Sequence, residues 1–330
     1  MNTLYLHVGP HKTGTTLIQK FLLDNQGWLF KSNLVYPKRY QKIFGHHEFR
    51  ELIVNRQLSQ EDRDFFNNEQ HDFLLSSEDF ISLNKDDFEY LKHNIESKKI
   101  VVIFGWRRAS FKLYSIWQEV IKHGGTDTFF SYYHDHLARP GQSQMLSADL
   151  KLNMFSHVFG KENIRIIDYD ASAKNNSLLR DFIKTLDNVE WQNDFVTAEN
   201  NAEAVNRSMD ITDIEIIRAL NHQFKALYDI DGAWVRTQFA QQQEQLEEIG
   251  LGKLKSIISA YQQELTVGNY FIDIRCETIM ADKFANNMIN YEPNTVVKKI
   301  RLAKADWMFN PEGQKILNQI TEHLKEAINT

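Results

Sequence analysis

The sequence predicts an α/β chain, in which a parallel sheet covered by helices is followed by a helical C-terminal portion. Three observations predict it. A short apolar run, "LYLHV" (4–8), ends at Gly9-Pro10 and is followed by Leu17, Ile18, Phe21 and Leu22 at helical spacing. Strand-like runs then alternate with helical stripes over residues 1–190. Beyond residue 205 the helical stripes continue without strand signals.

Each element has its own reason. The first helix is expected to start near Gly14, directly after a glycine-bearing turn. "NLVYP" (33–37) reads as a second short strand, and "DFLLSSE" (72–78) as a third that ends in small polar residues. Phe88, Leu91 and Ile95 mark one face of a helix; Asn84 is its expected cap, and Asp86 and Asp87 favour its positive end. "SKKIVVIFGW" (97–106) is the clearest strand, with β-branched or aromatic residues throughout Val101–Phe104. "NIRIIDYD" (163–170) is the next. In the remainder, Ile211, Ile214, Ile217, Leu220 and Phe224 form a helical stripe, and "RTQFAQQQEQLEEIG", "LKSIISAYQQEL" and "EGQKILNQITEHLKEAI" continue the helical character. The expected organisation is a core over residues 1–200 and a helical part over 201–330 packed on it as one integrated domain.

Composition narrows the function. A net charge of −6 argues against a general nucleic-acid or anionic-membrane binder, so an anionic ligand would need a local concentration of donors. No apolar run approaches the ~18–20 residues that span a bilayer, so no transmembrane segment is expected. "MNTLYLHVG" has neither a basic start nor a long apolar run, so no signal peptide is expected. The single cysteine, Cys276, excludes an intrachain disulfide and a cysteine metal cluster, and a reducing, cytoplasmic setting fits best. The His-x-His of "YYHDHLARPG" (132–141) has no third ligand in register, so no metal site is expected there.

The stretch "VGPHKTGTT" (8–16) joins the first strand to the first helix. Gly9 and Gly14 keep the glycine spacing of a phosphate-binding Gly-x4-Gly-Lys-[Ser/Thr] loop, but Thr15 follows the second glycine and Lys12 stands mid-loop. Backbone N–H groups around Thr13, Gly14, Thr15 and Thr16, with the helix N-terminus, are expected to cradle an anion, which Lys12 approaches from another side. In an open parallel sheet ligands bind beyond the carboxyl ends of the strands, so other strands should end in useful chemistry there. Past "IVVIF" come Arg107 and Arg108, and Ser115 follows eight residues after Arg107; together Arg107 and Ser115 suit a second phosphate. "FLLSSE" ends in Glu78, which is either a capping or salt-bridging residue or a proton acceptor for an incoming nucleophile. His46 and His47 are rival proton acceptors or packing residues, and His11 shapes the loop.

"GPHKTGTTLIQ", "LLSSED", the Arg107-to-Ser115 spacing of "RRASFKLYS" and "FGKENIRIIDYD" together resemble the bacterial branch of the sulfotransferases that use 3′-phosphoadenosine 5′-phosphosulfate (PAPS). "NRSM" (206–209) and "ADKFANNMI" (281–289) resemble later segments of that branch. "RRASFKLYS" departs from the family's Arg-Asn-Pro form. The resemblance implies a P-loop-like three-layer fold and transfer of the sulfuryl group of PAPS to a hydroxyl or amine, with release of adenosine 3′,5′-bisphosphate. It implies that Lys12 stabilises charge on the bridging oxygen and that Thr13, Gly14, Thr15 and Thr16 hold the 5′-phosphate. Arg107 and Ser115 would then bind the 3′-phosphate, Glu78 would take the acceptor proton, and no metal would take part. Tyr169 matches a tyrosine near adenine in the family, or it is a core residue. The implied acceptor is a carbohydrate or another small hydroxylated molecule, with a lipid as the alternative. The competing readings are a Mg²⁺-dependent P-loop nucleotide or sugar kinase, which should show Gly-Lys-Ser/Thr, and a non-catalytic nucleotide-binding protein.

Overall fold

In a strand covered on both faces, every residue must be tolerated in the interior, and three runs of this chain meet that demand. All five residues of Thr3–His7 and of Asp72–Ser76 are buried, as are Ile100–Trp106. The computed structural model describes residues 2–67, 70–95, 98–143, 146–197, 209–230, 232–268, 270–291, 293 and 297–328. Of the "NRSM" segment, residues 206–208 lie outside the described residues. Among the described residues eight strands form: β1 (Thr3–His7), β2 (Leu34–Val35), β3 (Asp72–Ser76), β4 (Lys99–Trp106), β5 (Ile164–Asp168), β6 (Gln262–Val267), β7 (Met288–Ile289) and β8 (Lys298–Ala303).

The chain groups into two units. The first comprises Met1–Ala109, Gln144–Asn206 and Phe271–Val296. It contains a six-stranded, wholly parallel sheet in the order β2-β3-β1-β4-β5-β7. Period-two alternation distributes the strand side chains to two cores. Leu4, Leu6, Ile100, Val102 and Phe104 join one; the helices His47–Val54, Lys85–Asn94 and Ala148–Phe159 supply Phe49, Ile53, Phe88, Leu91, Leu152 and Phe155 to it. Tyr5, Val101 and Ile103 join the other, where helix α1 (Thr15–Asp24) supplies Ile18, Phe21 and Leu22 and the helix Leu178–Ile183 supplies Phe182. Helices on both faces of a parallel sheet make this a three-layer α/β fold. After β1 the chain fills positions on one side of it through β3, then crosses to the other side for β4, so the order reverses at β1. The loop leaving β1 therefore stands at the switch point, where open α/β sheets bind ligands.

Helix starts follow the sequence. Asn84 Oδ1 accepts the Asp87 N–H at 3.1 Å while Asp87 Oδ2 accepts the Asn84 N–H at 2.9 Å, closing a capping box. Strand ends are shorter than the apolar runs suggest: β2 keeps two residues of "NLVYP", and β3 stops at Ser76 because Ser77 opens the helical turn Glu78–Ser82.

The second unit comprises Ser110–Ser143, Arg207–Tyr270 and Val297–Thr330. Its helix Ile211–Tyr228 buries Ile214, Ile217, Leu220 and Phe224, the stripe the sequence predicts. The expectation of helix throughout residues 205–330 needs correction. "LKSIISAYQQEL" leaves the helix Leu251–Ala260 and enters β6, which pairs antiparallel with β8, Leu265 opposite Ile300. In β8, Ile300 and Leu302 are buried while Lys299 and Arg301 are exposed, an alternation that overrides helical propensity. Residues 288–289, in the "ADKFANNMI" segment, form the sheet's outer strand β7. No helix among the described residues is long and apolar enough to cross a membrane.

Candidate functional site

The loop after β1 needs three left-handed residues: Gly9 (φ 77°), Lys12 (φ 65°) and Gly14 (φ 78°). Glycine takes this conformation without strain, whereas at Lys12 it costs about 1–2 kcal/mol. Two bonds hold the shape. Thr13 Oγ1 donates to the Pro10 carbonyl at 2.6 Å, and Arg107 Nη1 donates to the Lys12 carbonyl at 2.9 Å. Gly14 is the N-cap of α1, and no side chain caps that helix. Nor does its first turn carry an acidic residue, in contrast to the helix Lys85–Asn94, which holds Asp86 and Asp87 there. The first N–H groups of α1 and its positive dipole end are thus left for an external anion. Thr13 and Thr15 are buried, Thr16 is exposed and Lys12 is half-exposed.

Glycine also lets three strand ends converge. A Cβ on Gly9 would lie 3.0 Å from Glu78 Cα, one on Gly14 2.4 Å from Leu178 Cδ2 and 3.2 Å from Tyr169 Cε2, and one on Gly105 2.7 Å from Thr13 Oγ1. Gly105 N–H donates to the Gly9 carbonyl at 2.6 Å, and Ser77 N–H donates to the His7 carbonyl at 3.0 Å, so β4 and β3 both grip the loop's first residues.

On the β4 side, the Arg107 guanidinium lies 5.1 Å from the Tyr169 ring centre, and its Nε is 3.4 Å from Asp170 Oδ1. That Nε is buried without a hydrogen-bond partner. Burial pushes the Asp170 carboxyl up, against the pull of Arg107 and Arg108. Arg108 is fully buried among carboxylates: Asp168 at 3.1 Å, Glu277 at 3.2 Å and Asp170 at 3.7 Å. It braces the site from within, beyond reach of a ligand.

On the β3 side, Glu78 is half-buried, and its Oε2 accepts Gln19 Nε2–H at 2.9 Å. The adjacent histidines differ sharply. His46 is fully buried; its Nδ1 accepts the Ser76 N–H at 3.1 Å, and its Nε2–H donates to the Pro37 carbonyl at 2.8 Å. Burial pulls it down to about 4, so it stays neutral, and both ring nitrogens serve the backbone. It is a packing residue rather than a rival proton acceptor. His47 keeps a partly exposed side chain and bonds Asp79 Oδ2 through Nδ1 at 2.8 Å. His11 Nε2 lies 3.8 Å from the other oxygen of Asp79.

Around this loop the fold assembles Lys12, Thr13, Gly14, Thr15, Thr16, Glu78, Arg107 and Tyr169, all within the first unit. Ser115 lies on the helix Ala109–Lys122, in the second unit. Gln19, Asp79 and Asp170 join the site without having been singled out in the sequence. Asp79 directly follows Glu78, and Gln19 stands one helical turn after Thr15, signals visible only once a loop-and-strand-end site is assumed.

No family model and no curated protein matches the chain. Among solved structures, a sulfotransferase from Alicyclobacillus acidocaldarius is similar at 15% identity, covering 72% of this chain and 99% of its own, with a TM-score of 0.38. A likeness that loose carries no argument about function.

Proposed function

We propose that the protein is a sulfotransferase that moves the sulfuryl group of PAPS to a hydroxyl or amine acceptor and releases adenosine 3′,5′-bisphosphate. The supporting observation is the uncapped N-terminus of α1 at the sheet's switch point, with Lys12 in its loop, Arg107 bonded to that loop and Glu78 against Gly9. The residues fit the donor at both ends. Open N–H groups at Thr15 and Thr16 with Lys12 suit a 5′-phosphosulfate. Arg107 uses Nη1 on Lys12 and faces Asp170 with Nε, which leaves Nη2 for a 3′-phosphate oxygen. Tyr169 is assigned to the face of the adenine.

Glu78 takes the proton as the acceptor oxygen forms its bond to sulfur and the bond from sulfur to the bridging oxygen breaks. Lys12 meets the charge that develops on that bridging oxygen, and α1 holds the leaving phosphate in line. These residues do this without a metal. A carbohydrate or small hydroxylated acceptor suits a half-exposed carboxylate, and one half-buried cysteine suits a reducing, cytoplasmic setting.

Thermal unfolding with adenosine 3′,5′-bisphosphate, with AMP and with ATP plus Mg²⁺ tests the reading. A ligand at 100 times its Kd adds about 2.7 kcal/mol of apparent stability. Stabilisation by the bisphosphate alone is the expected result. Stabilisation only by ATP with Mg²⁺ would replace the proposal with a kinase.

A further inference from the structure

The β3 side of the loop carries more polar groups than one proton acceptor requires. Ser77 opens the turn Glu78–Ser82 by accepting the Asp79 N–H at 3.2 Å, which sends the side chains of Glu78 and Asp79 to different partners. Asp79 meets His47 Nδ1 at 2.8 Å, with Ser77 Oγ 3.1 Å from the same nitrogen. An acceptor-only carboxylate calls for a proton on Nδ1, so the neutral ring keeps a lone pair on Nε2. That Nε2 and the Gln19 amide both lie beside Gly45: a Cβ there would stand 2.9 Å from His47 Nε2 and 2.7 Å from Gln19 Nε2. Gln19 is 3% exposed and donates to Glu78 Oε2 at 2.9 Å. The bonded pairs Asp79–His47 and Gln19–Glu78 therefore meet beside Gly45 as one row of side chains, which carries two hydrogen-bond acceptors, His47 Nε2 and the Glu78 carboxylate. The His47 and Asp79 side chains keep 23% and 40% exposure, and Glu78 is half-buried.

We propose that this row is the acceptor subsite and that it selects a molecule with two hydroxyls on neighbouring carbons, as on a sugar ring or a catechol. The inference rests on the sulfotransferase reading. Glu78 faces the reacting hydroxyl, and His47 Nε2 accepts a hydrogen bond from the neighbouring one. Asp79 is a positioning residue: it holds the ring in the tautomer that leaves Nε2 unprotonated.

Two measurements test it on the full chain. The first compares PAPS-dependent sulfation of 4-nitrocatechol with that of 4-nitrophenol, beside a titration of adenosine 3′,5′-bisphosphate. One hydrogen bond of about 0.5–1.5 kcal/mol corresponds to a preference of about two- to tenfold in kcat/KM for the catechol. His47→Phe and Asp79→Asn should bring that ratio to about one with bisphosphate affinity kept, and His47→Gln, whose amide oxygen accepts, should retain part of it. The second reads the His47 tautomer by ¹⁵N NMR, with Nδ1–H expected in the wild type and a shift toward Nε2–H in Asp79→Asn. An Nε2–H wild type, a preference that survives His47→Phe, or no turnover of either phenol while the bisphosphate binds would overturn the subsite. Failure of the bisphosphate to bind would instead remove the sulfotransferase reading, and the subsite with it.

Discussion

Gly105→Ala isolates how tightly the loop is held. Gly105 sits in β4 outside the left-handed region, so its backbone admits alanine, and a less flexible unfolded chain would by itself stabilise the protein by about 0.4–1 kcal/mol. The added Cβ would stand 2.7 Å from Thr13 Oγ1, 2.8 Å from Thr13 Cβ and 3.3 Å from Thr13 Cγ2. Rotating the threonine moves the oxygen and the methyl but leaves its Cβ in place, so the backbone of the loop must yield. Thr13 is buried and its hydroxyl is tied to the Pro10 carbonyl, which removes the easy escapes. Overpacking costs about 1–3 kcal/mol and the strained hydrogen bond about 0.5–1.5, so after the gain from the unfolded chain a net loss of about 0.5–4 kcal/mol is expected. Urea unfolding reads the stability and calorimetric titration reads the affinity for adenosine 3′,5′-bisphosphate, expected to fall about tenfold as the loop N–H groups shift. Gly27→Ala is the control: a Cβ there meets nothing within 4 Å, and it should stabilise its helix by up to about 1 kcal/mol. Wild-type stability and affinity in Gly105→Ala would refute the reasoning.

Lys12→Ala should lower turnover about a hundredfold or more while bisphosphate affinity changes far less, as steady-state kinetics and titration together will show. Arg107→Lys keeps the charge but loses the fork that reaches the Lys12 carbonyl and Asp170, so the bisphosphate Kd should rise about tenfold in the same titration. Burial pulls His7 to about 3 and His46 to about 4. The unfolded chain protonates both near ~6.5, so the stability gained by keeping them neutral is complete above that pH and is lost as pH falls toward the folded values. The unfolding free energy from urea titrations at pH 7 to 5 should decline by about 1 kcal/mol per pH unit per histidine, and His46→Gln should flatten the slope by about one proton.

The alternating pattern of the first 190 residues made the parallel sheet legible, because strands buried on both faces carry apolar runs through their centres, Leu4–Leu6, Phe73–Leu75 and Ile100–Phe104. The Asn84 cap was legible for a similar reason: the partners lie three residues apart. A two-residue strand such as β7 carries no period to read, and the short alternation of β8 is hidden among lysines and arginines. In the site, the loop residues are adjacent in sequence, so Lys12 and the threonines could be placed before any fold was known. Gln19 and Glu78, 59 residues apart, meet only through packing. His46 and His47 are neighbours with the same side chain, and only the direction each takes from the backbone makes one a brace and the other an accessible ring. Gly105 offered a clue, since glycine inside a strand marks close backbone approach.

The outermost strands of the six-stranded sheet, β2 and β7, are two residues long. A long open edge is a template on which another chain can add a strand, and these edges offer almost no ladder for one. The β-branched, uncharged segment "IVVIF" in β4 lies in the sheet interior with β1 and β5 on either side. Self-association through this six-stranded sheet is thereby tied to its opening: while it stays closed its interior strands are out of reach, and heat or denaturant that parts β4 from its neighbours brings unfolding and aggregation together.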